Sequence, residues 1–228
     1  MEEGGYLVGN YNIGEFVFSK PKSRKDGEYL LSKVNYSREQ CIIQFPKMKI
    51  AGLPELVNLA NRTIELEFVN TTSRYNKKTY DFLSKLDAYI IEYIHNNSEL
   101  WFSKKIPLDN VKQMYLSVLK APKNTESNCT VNFSFKKSKN QMESSFYDKK
   151  GETLELSELK VGTLLEPIVE FKYLLFSKDS VCSIWEIHTA KVYTFLHKVP
   201  KFGFIEDPDD KQNDENSDNE ELDIKTFF

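Results

Sequence analysis

A mainly β fold with one inserted helical segment is what the sequence predicts, and three observations predict it. Short runs in both halves of the chain alternate apolar with polar residues, as in TIELEFVN and CTVNFSF. Between them, the stretch from Thr79 to His95 switches to helical spacing. Segments rich in Gly, Pro and Lys, such as KPKSRKDGEY, punctuate the rest. At 228 residues, 40% hydrophobic and 13% aromatic, the chain has material for one large domain with its own core.

The elements follow in order. YLVGNYNIGEFVFS has alternating and apolar stretches and predicts an opening strand, KPKSRKDGEY a loop, EYLLSKVNY and QCIIQFPKMKI further strands. Pro54 and Glu55 would open a short helix. In TIELEFVN, Ile64, Leu66 and Phe68 share one face of a half-buried strand. Phe82, Leu83, Leu86, Tyr89, Ile90, Tyr93 and Ile94 then line one side of a helix, with Thr79 or Asp81 as its N-cap and Asn96-Asn97-Ser98 as its stop. A shorter helix starts near Pro107 or Asp109 and carries Val111, Met114 and Tyr115, so the helical insertion covers roughly 79–118. Strands resume after Pro122. CTVNFSF places Val131, Phe133 and Phe135 on one face, where they read as core. KKSKNQMESSFYDKKGE is a basic loop or hairpin, and LLEPIVEFKYLLFS with CSIWEIHTAKVYTFL closes the fold. Four strands, a helical interlude and four strands suggest an OB-like, partly closed β-barrel. A β-sandwich is the alternative.

Charge divides the chain in two. The net charge is −3, but residues 206–228 hold ten acids against Lys211 and Lys225, which leaves +5 for residues 1–205. We expect an OB-like domain over 1–205 and a disordered acidic C-terminal tail over 206–228, ending in Phe227 and Phe228. A mildly basic body suits a polyanionic partner; solubility tuning is the plainer account. The three cysteines, Cys41, Cys129 and Cys182, sit among apolar or β-branched residues and read as core packing, not a disulfide framework or metal site. The acidic opening Met-Glu-Glu-Gly-Gly gives no sign of a signal peptide, and no run is long and apolar enough for a membrane span. We therefore expect an intracellular location and no membrane partner.

Catalytic signatures do not emerge. His95, His188 and His197 are far apart, and there is no H-E-x-x-H, C-x-x-C, phosphate-binding glycine loop or G-x-S-x-G elbow. The sequence gives no expectation of an enzyme, cofactor or metal. What recurs is a base beside an aromatic. KPKSRKDGEY holds Lys20, Lys22, Arg24, Lys25 and Tyr29. SRYNKKTY holds Arg74, Tyr75, Lys77, Lys78 and Tyr80. ELWFSKK holds Trp101, and FSFKKSKNQMESSFYDKK holds Lys136, Lys137, Lys139, Phe146 and Tyr147 beside Lys149 and Lys150. Single-stranded nucleic acid needs this mixture, because its phosphates take cations and its unstacked bases take aromatic faces at ~1–3 kcal/mol each. Tyr75, Phe146 and Tyr147 lie in polar, basic surroundings that predict exposure. Trp101 fits a platform or a cap on the core.

The layout resembles the single-stranded DNA-binding proteins of nucleocytoplasmic large DNA viruses, and the smaller phage single-stranded DNA-binding proteins whose OB-fold ends in an acidic tail with a terminal phenylalanine. The residues that carry the resemblance are FVFSKPKSRKDGEYLLSKVNY, YDFLSKLDAYIIEYIHNNSELWF and LELSELKVGTLLEPIVEFKYLLFSKDSVCSIWEIHTAKVY, together most of 14–195. The chain departs from the viral pattern in its last hairpin, where SKDS stands in place of an expected Gly. The resemblance implies a non-enzymatic, sequence-tolerant protein of DNA replication, repair or recombination, working in a viral factory of the host cytoplasm or in the nucleus. It implies that Asp218, Glu220, Glu221 and Asp223 act as a polyanion competing with DNA, while Phe227 and Phe228 stand in for a base or dock on replication proteins such as a polymerase or helicase. A homo-oligomer is a further expectation. A protein-interaction module without nucleic-acid binding, such as a polymerase accessory or viral structural protein, is the alternative.

Overall fold

The computed structural model describes residues 7–23, 28–37, 39–54, 63–69, 72–122, 127–138 and 141–193, with the side chains of Lys137, Ser138 and Gln141 excepted. The helix expected from Glu55 onward and the acidic tail lie outside the described residues. The strands in chain order are β1 (Phe16–Phe18), β2 (Lys22–Ser23), β3 (Leu30–Tyr36), β4 (Cys41–Gln44), β5 (Met48–Gly52) and β6 (Thr63–Phe68). The helices α1 (Arg74–Phe102) and α2 (Leu108–Met114) follow. Then come β7 (Tyr115–Leu116), β8 (Leu119–Lys120), β9 (Thr130–Phe135), β10 (Lys137–Ser138), β11 (Gln141–Met142), β12 (Ser145–Tyr147), β13 (Thr153–Leu154), β14 (Leu164–Phe176) and β15 (Val181–Tyr193).

Five of these strands close a ring. β5 pairs with β6, β6 with β9, β9 with β15, β15 with β14, and β14 returns to β5. Counted along the chain, the order around the ring is first, second, third, fifth, fourth, and only the β9–β15 pairing is parallel. This is the OB-like, partly closed barrel expected, with the helical segment inserted between its second and third strands. The excess over the expected number of strands comes from short strands of two or three residues. Two of these, β7 on β15 and β8 on β9, extend the wall where the parallel pairing is short.

β14 and β15, each 13 residues long, form the spine. The free edge of β14 takes β5, β4 and β3 in succession. Register shifts at Ile168/Val169 and Phe171/Tyr173 bend the pair enough to wrap. Their connection closes without the expected glycine. The Ser177 amide donates to the Ser180 carbonyl at 2.8 Å, the Ser180 amide donates to Ser177 Oγ at 3.1 Å, and none of these residues takes a positive φ. Inside the barrel, Phe171 stacks on Trp185 at 4.5 Å and 8°, and Phe45 meets Phe133 edge-on at 5.0 Å. Phe133 and Phe135 are core, as expected. Cys41 is buried, and all three cysteines are free thiols.

α1 is longer than its expected span at both ends. Thr79 is not the cap but lies buried in the first turns, its hydroxyl donating to the Tyr75 carbonyl at 2.9 Å. Asn96-Asn97-Ser98 does not stop the helix, because the polar side chains find partners within it. Asn97 Nδ2 donates to the Tyr93 carbonyl at 2.8 Å, and Ser98 Oγ donates to the His95 carbonyl while accepting the Ile106 amide. The helix ends at Ser103, in the left-handed region with φ 56°, whose amide donates to the Glu99 carbonyl. The expected apolar face packs on the N-terminal strands. Phe82 meets Phe16, and the Tyr89 hydroxyl donates to the Phe16 carbonyl at 2.9 Å. The opening strand is short, since residues 8–15 coil into two 3-10 turns, the second held by Asn12 accepting the Gly14 amide.

Candidate nucleic-acid interface

The outer face of the spine carries a concentration of basic and aromatic side chains. Near the end of β15, Ala190 and Val192 point inward and Lys191 and Tyr193 point outward, as strand alternation requires. Lys191 lies opposite Glu166 of β14 on one side and opposite Tyr147 of β12 on the other. A depression of about 490 Å³ opens over this row, lined also by Gln44, Lys149, Lys150 and Thr189. Tyr147 is 38% exposed. Lys47, from the link between β4 and β5, holds its Nζ 3.8 Å from the centroid of the Tyr193 ring, with the Nζ atoms of Lys149 and Lys191 at 5.6 and 5.8 Å.

Lys149 and Lys150 are held on a defined turn. The Asp148 carboxylate accepts the amides of Lys150 at 2.7 Å and Glu152 at 2.8 Å. These backbone donors hold its pKa below the usual range. Gly151, with φ 88°, supplies the left-handed residue the turn requires. Beneath the depression runs a polar chain. The Tyr193 hydroxyl donates to Glu166 Oε2 at 2.8 Å, Gln44 Nε2 donates to Glu166 Oε1 at 2.8 Å, and the Gln44 carbonyl accepts the Tyr75 hydroxyl at 2.6 Å. Burial and the neighbouring Glu166 push the Tyr193 phenol up to about 12, so it stays a donor at neutral pH.

Farther along the same face, Glu170 accepts from His188 Nε2 at 2.8 Å and Lys172 Nζ at 3.1 Å, and Lys172 reaches Glu186 at 3.5 Å. Burial pushes the Glu170 carboxyl up, but these two partners outweigh it and hold it below the usual range. Lys172 thus offsets part of the negative charge of Glu170 and Glu186 along the spine. Among the described residues, no group of three or more His, Cys, Asp or Glu side chains is placed to hold a metal ion. No helix among them is long and apolar enough to cross a membrane.

The residues singled out from the sequence distribute over several surfaces. Lys20 and Lys22 are exposed beside β3, and Arg74, Lys77 and Lys78 are exposed on the first turns of α1. Tyr29 lines a second depression of about 370 Å³ with Phe102, Ile106, Phe176 and Lys178, while Lys77 and Tyr80 line a third of about 310 Å³. Tyr75 is half-buried and anchored through its hydroxyl. Lys136 pairs with Glu143 at 3.5 Å. Arg24, Lys25, Lys139, Asp218, Glu220, Glu221, Asp223, Phe227 and Phe228 lie outside the described residues, as does the side chain of Lys137.

Two stacking assignments are corrected. Trp101 is only 7% exposed and packs edge-on against Phe176, because α1 runs on to Phe102 and carries the indole into the core. Phe146 is 1% exposed and meets Phe135 edge-on, because Ser145–Tyr147 is a strand that turns neighbouring rings to opposite faces. Neither ring is available to a base in this structure. Lys47, Gln44, Glu166, Lys191 and Tyr193 were not singled out in sequence. The one local signal was the outward pair Lys191 and Tyr193 in the last strand.

The strand order makes this an OB-like barrel. The family model described as "Family of unknown function (DUF5871)" matches residues 64–203, and the chain belongs to that family. None of the curated proteins matches the chain. Among solved structures, the single-stranded DNA-binding protein from bacteriophage Enc34 is similar at 10% identity and a TM-score of 0.39, over 77% of this chain and 89% of that one. A C-terminal truncation of that protein gives 10% and 0.40 over 78% and 93%, and its complex with single-stranded DNA gives 10% and 0.37 over 78% and 95%.

Proposed function

We propose that the chain binds single-stranded nucleic acid, DNA in the first instance, without acting on it chemically, and that it holds the strand at the depression beside Tyr147. The observation that carries this reading is the gathering of Lys47, Lys149 and Lys191 about Tyr193, next to an exposed second ring. The lysines offer cations to phosphates, and Tyr147 offers a face to an unstacked base. Backbone contacts of this kind are sequence-tolerant, which suits a role in replication, repair or recombination, in a viral factory or the nucleus.

The tail belongs to the same proposal. A segment with ten acids among residues 206–228, tethered to a +5 body, has a high effective concentration at those lysines. It competes with the strand, and once displaced offers Phe227 and Phe228 to a polymerase or helicase. A second reading, a protein-interaction module, is favoured by one observation: the mostly apolar groove that Phe102, Ile106 and Phe176 line.

Fluorescence anisotropy of labelled oligo-dT across a salt series tests the proposal, with the full chain beside one ending at Ile205. Binding by both, tighter for the shorter chain, supports strand binding and tail competition. No binding at low salt removes the first reading and leaves the interaction module.

A further inference from the structure

We infer that the depression beside Tyr147 prefers a strand that places guanine there, and that Glu166 is the residue that selects it; this rests on the strand-binding reading above. Glu166 is out of place on a surface built for phosphates. It lines the depression together with Tyr147, Lys149 and Lys150. Its two oxygens are each fixed by one donor, Gln44 Nε2 on Oε1 and the Tyr193 hydroxyl on Oε2, both at 2.8 Å. Each oxygen keeps acceptor capacity, since a carboxylate offers about four lone-pair sites. Asp148, the other acid in the lining, takes two amides of its own turn on Oδ1 alone, so unlike Glu166 it is not held by one donor on each oxygen. Glu166 is therefore a positioned acceptor pair in a cavity whose cations take the phosphates.

The four bases differ at such a pair. Guanine presents two adjacent donors on its Watson–Crick edge, N1–H and N2–H, spaced to meet both oxygens of one carboxylate. Thymine presents N3–H between two carbonyls, which the carboxylate repels. Adenine and cytosine each pair one amino donor with a ring acceptor. Unstacked bases in single strands are read on these edges. Tyr147 lines the same depression, across Lys191 from Glu166, and among the four bases guanine alone offers a donor to both acceptors while leaving its face for a ring.

Competition anisotropy with the full chain tests this, using oligo-dT, the same strand with one central dG, and the same strand with one central deoxyinosine, which lacks the N2 amine. The dG strand is expected to bind about tenfold tighter than oligo-dT, as a bidentate base contact implies, with deoxyinosine between them. The advantage is expected to vanish in Glu166→Gln. Equal binding of all three strands overturns the inference and leaves strand binding standing. A dG advantage that persists in Glu166→Gln overturns the assignment to Glu166. Binding of no strand removes the strand-binding reading and this inference with it. The wild-type series needs no variant, so a folding defect in Glu166→Gln does not spoil the test.

Discussion

Lys47 and Tyr193, far apart in sequence, meet with the ammonium 3.8 Å from the ring centroid. The contact joins the link after β4 to the last residue of β15, and it fixes one cation at the rim of the basic depression. Lys47→Ala is expected to weaken oligo-dT binding and to flatten the log–log salt dependence by about 0.7, the share of one phosphate contact on a single strand. The melting temperature should move little, because Lys47 is exposed. Salt-series anisotropy with a thermal melt checks both halves.

Tyr147 and Phe146 are neighbours with opposite fates. Tyr147→Ala should cost ~1–3 kcal/mol of oligonucleotide affinity and leave the fold intact. Phe146→Ala should cost ~3–5 kcal/mol of stability and leave the affinity of the folded fraction unchanged. Urea unfolding and binding measured on both variants separate a surface ring from a core ring, and exchange of the two effects would refute the placement.

Glu170 makes stability depend on acid. Its folded pKa lies below the unfolded value, so the native state binds fewer protons than the unfolded chain in between. Its contribution is present above about pH 4.3 and is lost as pH falls through the lower folded value. Glu170→Gln should therefore be less stable than wild type near neutrality, with the gap narrowing in acid. Denaturation midpoints at several pH values check this; a gap independent of pH would contradict it.

Tyr193 acts at the alkaline end. Its folded pKa is raised to about 12, so the native state holds a proton that the unfolded chain has released. That stability is complete below about pH 10 and is lost as pH rises toward the folded value. Burial also raises Tyr75, Tyr89 and Tyr115, so ultraviolet titration of Tyr193→Phe should keep a late phenol phase but with the amplitude of one phenol missing.

Ser103 caps α1 with φ 56°, a region that costs a residue with a Cβ more than it costs glycine. Ser103→Gly should raise stability by about 0.5–1 kcal/mol, read as an increase in melting temperature. A decrease would mean that the serine side chain makes a contribution larger than the strain.

Much of the fold was legible because it rests on local periodicity. The apolar face of α1 from Phe82 to Ile94 and the alternation of Val131, Phe133 and Phe135 each state which side faces the core. The ends of α1 were not legible, because Asn97 and Ser98 are helix-stopping types whose side chains here bond inside the helix. The basic depression was legible only in part. Tyr147, Lys149 and Lys150 lie together in sequence, but Glu166 and Lys191 join them through strand register and Lys47 approaches through its contact with Tyr193, which no single segment encodes. Phe146 misled because its neighbours are polar and charged; the alternation through Ser145, Phe146 and Tyr147 was the signal that its ring turns inward.

The most direct test of strand binding at this depression is the salt dependence of oligo-dT affinity for wild type and for Lys149→Ala/Lys150→Ala/Lys191→Ala. The account predicts that wild type binds, that the triple variant binds more weakly, and that its slope is flatter by roughly 2 at about 0.7 per lost phosphate contact. Equal affinity and slope in the two proteins would contradict it and place any strand elsewhere on the molecule.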